Sequence, residues 1–315
     1  MESRQVNKFS LSQLLALIGI VFVTFSWMSG GIEAIAYAFY SFIFFVFFFL
    51  LFVNRNRNIN KVNKLSAILL AFLLLSLISL IWSINRFESI VGIIVLIMSA
   101  LAYEISLKYL SDKNLFSLWK KIYIVFATGS VLWGIPNYFF NNTDGRFVTP
   151  IYWPNVAAIA LAPAIFLAFH GFVEAKKRLP KTLYMIATTL MGAAFILTFS
   201  RASYIVMTII LIALLALFYK NKKFLLIVLV SILFSSLLAL GLYQARKLSF
   251  KNTVNVNITS KEKSTSEVVG NSISDRSSYW TSSLKMIGSN PFVGTGYGTF
   301  KNNYPRYQRS ASAET

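Results

Sequence analysis

The sequence predicts an all-α, polytopic membrane bundle, and three observations carry that prediction. Of 315 residues 56% are hydrophobic and only 13% charged, at a mean hydropathy of +0.63, whereas a soluble domain carries about 25% charge. Apolar runs recur from Leu11 to Tyr243, each near the length that crosses a hydrocarbon core roughly 30 Å thick. These runs show no period of two: FIFFVFFFLLFV, from Phe42 to Val53, would be apolar on both faces of a strand, which excludes a transmembrane barrel.

Taken in order, the runs give about nine transmembrane helices. The first, Leu11 to Met28, follows Arg4 and Lys8 as a signal peptide would. It has no A-x-A-like cleavage site and eight more spans follow, so it reads as a retained helix. The others are Glu33 to Val53, Leu65 to Ile84, Ile90 to Leu107, Ile122 to Phe140, Val156 to Val173, Leu183 to Thr198, Ala202 to Tyr219 and Phe224 to Tyr243. With the N-terminus in the cytoplasm, the inner segments through Lys223 hold 17 Lys and Arg, while the short outer segments hold only Arg86, Arg146 and Arg201. Positive loops resist translocation, so this asymmetry sets a cytoplasmic N-terminus in a multi-pass protein of the cytoplasmic membrane. It also accounts for the net charge of +19, which in a soluble chain would point to nucleic acid; here no nucleic-acid partner is expected.

The chain therefore divides into a transmembrane bundle, residues 1–243, and a large extracytoplasmic loop, residues 244–315, which long-loop translocation permits despite its ten Lys and Arg. Within that loop Lys251 to Ser272 is polar and poor in aromatics, a composition that favours mobility. From Asp275 the text changes to DRSSYWTSSLKMIGSNPFVGTGYGTF. Trp280, Leu284 and Ile287 fall at i, i+4 and i+7, with Ser274 or Asp275 able to cap and Gly288 and Pro291 able to stop the element. This predicts a short amphipathic helix, lying on the outer membrane face or over a cavity.

Candidate functional residues are chiefly arginines on the outer side. Arg201 follows Thr198, Phe199 and Ser200 at a turn so tight that almost no loop separates two spans. It reads either as a snorkelling cation or as an anion clamp whose guanidinium fork matches phosphate oxygens two at a time. Arg276, one position after a capping residue, would oppose the helix dipole at a cost of roughly 0.3 to 1 kcal/mol, which asks for an anionic partner. Asp275 or a lipid phosphate would also serve. Arg146 lies in NNTDGRFVTPIYWPN, where Asp144-Gly145 marks a turn and two prolines hold the chain extended up to Asn155. Trp153 and Tyr152 there suit an interface belt as well as sugar stacking.

Several chemistries are excluded. There is no cysteine, hence no disulfide, thiolate site or cysteine nucleophile, and one histidine, His170, cannot build a multi-imidazole zinc site. His170 lies near an inner span end, so it is no general base for outer-face chemistry. The outer acids lack the D-x-D spacing that holds a divalent metal beside a sugar nucleotide, so no metal and no other cofactor is expected. Gly294 to Gly298, GTGYG, lacks the Lys-[Ser/Thr] of a phosphate loop and the flanking spans of a potassium filter. It reads as a flexible turn where backbone approaches a ligand or the bundle.

Three segments together, GRFVTPIYWPNVAAIALAPAIFLA from Gly145, LTFSRASYIV from Leu197 and DRSSYWTSSLKMIGSNPFVGTGYGTF from Asp275, resemble the O-antigen ligase and O-antigen polymerase family of bacterial membrane glycosyltransferases. The resemblance implies transfer of a glycan from a polyprenyl-diphosphate carrier to an acceptor hydroxyl of a glycan or glycolipid, without nucleotide sugar or metal. The family arginine after the serine of the S-R pair matches Arg201, and the one opening the outer-loop helix matches Arg276. Both are implied to hold the diphosphate, consistent with two guanidinium groups facing a concentrated negative charge. Arg146 and Asn155 are expected to line the donor or acceptor path. The family also carries a histidine later in the same loop and further spans beyond it, so these 315 residues are expected to be truncated before the C-terminal part, which would supply the base.

Two other readings share the composition. A cell-wall glycan polymerase of the shape, elongation and division type would depend on an outer-loop carboxylate. A non-catalytic transporter of lipid-linked glycans would place ionisable residues at mid-membrane, whereas Glu104 and His170 both lie near inner span ends.

Overall fold

A computed structural model describes residues 63–140, 145–149, 154–253 and 265–308. The first two predicted spans lie outside these residues. Every regular element among the described residues is helical, as predicted, and seven helices there are long and apolar enough to cross a membrane. They are α1 (Lys64–Ile78, extended by a 3-10 turn at Ser79–Ile81), α2 (Arg86–Tyr109), α3 (Lys113–Phe140), α4 (Pro154–Glu174), α5 (Arg178–Leu197), α6 (Arg201–Phe218) and α7 (Lys222–Thr253). Two helices follow, α8 (Thr265–Ser289) and the single turn α9 (Phe300–Asn303), with a 3-10 turn at Tyr304–Arg306.

Short polar side chains start several of these helices. Asn85 Oδ1 accepts from the Glu88 amide, Asp112 Oδ1 from the Asn114 and Leu115 amides, and Asn221 Oδ1 from the Phe224 amide. Each satisfies amide donors that the first helical turn leaves without a partner. Pro154 opens α4 at a position where its missing N–H costs nothing.

The described residues fall into two compact units: a bundle unit of residues 108–253, and a second unit of residues 63–107 with 265–308. In the bundle unit α4 packs against α5, α5 against α7, and α3 against both α4 and α5. The buried faces are lined chiefly by small side chains: Ala157, Ala164, Ala168 and Gly171 recur at helical spacing on α4 with Leu161 among them, and Ala187 and Ala194 flank Met191 on α5. Without a hydrophobic drive between helices in lipid, small residues let backbones approach and dispersion hold them. Tyr123, Ala127, Val131 and Tyr138 complete this interior from α3. By contrast α6 buries none of its residues.

Two expectations are corrected. First, α7 continues past Tyr243 to Thr253, because the polar QARK stretch that ends the hydropathy signal still satisfies the helical hydrogen-bond ladder. Second, α8 is not short and does not begin at Asp275. It begins at Thr265 and runs 25 residues to Ser289, so part of the stretch expected to be mobile is helical and neither Ser274 nor Asp275 is its cap. The turn at Gly294 to Gly298, expected as a place where backbone approaches a ligand or the bundle, brings its backbone against the α1–α2 helix pair.

That turn organises the second unit. Gly294, Gly296 and Gly298 have φ of +62°, +102° and +77°, the left-handed region that costs other residues a Cβ clash. With these kinks the backbone lies against the α1–α2 corner. Ile84 N donates to Thr295 O (3.2 Å), Tyr297 N to Ser79 Oγ (3.1 Å) and Ser89 Oγ to Tyr297 O (2.6 Å), while Trp82 Nε1 donates to Val293 O (2.9 Å). A Cβ on Gly296 would stand 2.7 Å from the Ser83 side chain. The Tyr297 ring meets Phe72 edge-on at 5.8 Å. Beyond the turn, Ser282 of α8 donates to Tyr307 O, and Ser289 pairs with the Tyr307 hydroxyl at 2.7 Å.

Candidate anion site at the helix ends

The local chemistry at the end of α5 begins with unpaired carbonyls. A helix leaves its last carbonyls without amide partners, and in the tight reversal into α6 the Phe199 amide reaches only one of them, donating to Ile196 O at 3.3 Å. The reversal needs Phe199 at φ +49°, a conformation rare for a bulky residue. Partners from three directions meet the carbonyls. Tyr204 Oη donates to Ile196 O, Phe147 N to Leu197 O at 2.7 Å, and Arg146 Nε to Thr198 O at 2.8 Å. Thr198 and Ser200 are both buried. A cation at a helix C-terminus also sits favourably against the macrodipole.

Arg146 and Asn155, two of the predicted site residues, are brought together: Arg146 Nη2 donates to Asn155 Oδ1 at 2.9 Å. The guanidinium thus joins the loop, the end of α5 and the start of α4. Close approach of the loop is possible because α3 carries glycine at 134, where a Cβ would lie 2.6 Å from Val148 O and against the Phe147 ring.

A further residue, Arg246, was placed by sequence in the extracytoplasmic loop and given no role. In the structure it serves the end of α3 much as Arg146 serves that of α5. Its Nε donates to Tyr138 O at 3.0 Å, and its guanidinium lies 4.8 Å from the centre of the Tyr138 ring. One Nη would be 2.9 Å from a Cβ at position 145, which is glycine at φ +73°. The signal was available in Gly145 and in an arginine within one turn of the apolar run, but the carbonyl partner is a tertiary fact.

Arg201 differs from both. It is the first residue of α6, exposed, and makes no hydrogen bond or ion pair among the described residues. The α6 amide ends lie beside it, and a helix N-terminus with an adjacent guanidinium is a receptive place for an anion. Arg276 belongs to the second unit and is likewise exposed and without such a partner among the described residues. Because α8 starts at Thr265, Arg276 lies in the helix interior, so the expected conflict with the N-terminal dipole does not arise.

Two other features are set apart by geometry. His170 lies with Glu174 (Nδ1–Oε2 3.2 Å) and the buried Lys120 (Nζ–Nδ1 3.2 Å), some 15 residues along α4 from Asn155, or about 22 Å at the helical rise. A cleft of about 470 Å³ in the second unit is lined by Met286, Ile287, Asn290, Tyr297, Thr299 and Phe300 among others, with no charged side chain. Among the described residues no group of three His, Asp or Glu side chains converges as a metal site would require.

Comparison with known proteins adds one match. Residues 186–315 match the family model described as O-antigen ligase, the family that the SRAS and NPFVGTGYGTF motifs resemble. This stretch contains Arg201 and Arg276; Arg146 and Asn155 precede it. No curated protein and no solved structure matches the chain.

Proposed function

From the O-antigen ligase match of residues 186–315, we propose that this membrane protein transfers a glycan from a polyprenyl-diphosphate carrier to an acceptor hydroxyl at the outer face of the cytoplasmic membrane. The match carries the reading, because it spans the two exposed arginines and the glycine turn in one continuous region. Arg201 and Arg276 hold the carrier diphosphate. The acceptor oxygen forms a bond to the anomeric carbon as the carbon–oxygen bond to the diphosphate breaks, and the diphosphate leaves with the electron pair. Charge that builds on the leaving group is met by guanidinium donors already in place. Neither arginine can take the acceptor proton, since a guanidinium stays protonated, so the proton passes to another group.

The local bonding of the arginines supports this division of labour. Arg146 donates to Thr198 O and Asn155 Oδ1, which suits shaping the turn that presents Arg201 and flanking the donor or acceptor path. The excess of Lys and Arg in alternate loops supports the cytoplasmic N-terminus, with the α5–α6 turn and the segment after α7 outside. The reaction as proposed uses no metal.

The test is glycan transfer from a lipid-diphosphate donor in membranes carrying the full-length protein. Arg201→Ala and Arg276→Ala are each expected to lower transfer by about 10²- to 10³-fold, the cost of removing one preorganised donor, with thermal stability unchanged. Full activity in both variants would overturn the reading.

A further inference from the structure

We infer that α8 and the turn after it form a lipid-contacting surface, seated in the bilayer leaflet at the α1–α2 corner at a depth set by the glycine turn. The α8 helix is not apolar enough to cross a membrane, yet one stripe of it is bare. Arg276, Trp280, Leu284 and Ile287 stand at i, i+4, i+8 and i+11, within roughly 80° of arc at 3.6 residues per turn. Trp280 is 73% exposed, Leu284 66% and Ile287 60%. Ser282, on the opposite side, is buried and bonded to Tyr307 O, so the helix has one packed face and one open apolar face. Just beyond its end Phe292 is 98% exposed, more than any other large apolar side chain described.

What covers this face follows from where the turn is fastened. Val293 O accepts from Trp82 Nε1, and Trp82 immediately follows the membrane-crossing stretch Lys64–Ile81. Phe292 and Val293 therefore sit within hydrogen-bond reach of a span end, at the level where tryptophan anchors helices to the interface. Ile81 and Phe87, the exposed apolar residues flanking the same corner, are at that level too. An amphipathic helix held there rests with its apolar stripe some 5–10 Å into the headgroup boundary.

The occupant is thus phospholipid of the bilayer the chain already spans, and the inference does not depend on any transfer activity. The chain has no cysteine, so single nitroxide labels can be placed at Ile287→Cys and Phe292→Cys, with Lys285→Cys on another face as reference. All three positions are exposed, so the labels leave the interior untouched. In phospholipid nanodiscs, collision with oxygen should exceed collision with a water-soluble nickel chelate at 287 and 292, and the order should reverse at 285. A water-type reading at either apolar site overturns the inference. So does low collision with both reagents, the mark of a second copy or another protein segment covering the face.

Discussion

The two units bury different chemistry. In the bundle unit the least exposed residues are alanines with Leu161, Met191, Tyr138 and Phe147, and polar bonding is concentrated where helices end. Among the described residues of the second unit, Ser76, Ser79, Ser89, Ser282, Thr299 and Asn303 are buried beside only two apolar side chains, Ile93 and Met98. The first is held by close-packed surfaces, the second by a few hydrogen bonds to a backbone that glycine has freed to bend. Their turns follow the same division. Long arginine side chains reach the carbonyls that end α3 and α5, whereas at the α1–α2 corner main chain meets serine hydroxyls directly. One device tolerates distance and depends on charge; the other tolerates no added atom.

The comparison is most open to attack at Gly296. Gly296→Ala combines a strained φ with a Cβ pressed on Ser83, and should cost about 2–4 kcal/mol in the second unit. Limited proteolysis of residues 290–308 checks it: new cleavage there, with the bundle unit intact, is the expected pattern. Next comes Arg146→Ala, which strips the Thr198 carbonyl of a partner and should lower stability by about 1–3 kcal/mol, read as a fall in thermal midpoint. Arg146→Lys should recover only part, since one ammonium cannot serve Thr198 and Asn155 in the same fork geometry. Ser89→Ala removes the donor to Tyr297 O and should cost about 1 kcal/mol; an equal loss from an exposed serine such as Ser277 would blur the contrast. Smallest and opposite in sign, Gly288→Ala meets nothing within 4 Å inside a helix and should stabilise by about 0.5–1 kcal/mol.

Much of the bundle could be read from hydropathy, because a membrane span announces itself by length and apolarity alone. The seven described spans fall where the apolar runs do, with ends displaced by a few residues: Ile90 became Arg86 and Ile122 became Lys113, since charged residues join a helix freely once past the hydrocarbon. For the same reason Arg246 was assigned to a loop. Hydropathy stops where lipid stops, and hydrogen-bonded helix does not. In α8 the polar residues 265–274 offered no periodic apolar signal, so its first turns went unseen. The glycines at 294, 296 and 298 were legible as special, but Ser79, Ser83 and Ser89 looked like ordinary small residues near span ends. Arg146 and Asn155 were legible as a pair of interest. That they bond to each other and to the end of α5 depends on tertiary placement, which spacing does not encode.

The bare surface of α6 has a consequence for how this chain can change. None of its side chains is fully buried; near its start Tyr204 bonds to Ile196 O and Ser200 to Ser203, and Tyr204 and Met207 rest against the bundle core. Sequence information in this helix is therefore unevenly spread. From Thr208 onward its exposed positions need only be apolar and helical, and reshuffling them should leave the fold as it is. The four residues from Ser200 to Ser203 and the tyrosine after them have no such freedom, so substitutions should accumulate along α6 with a sharp gradient away from Arg201.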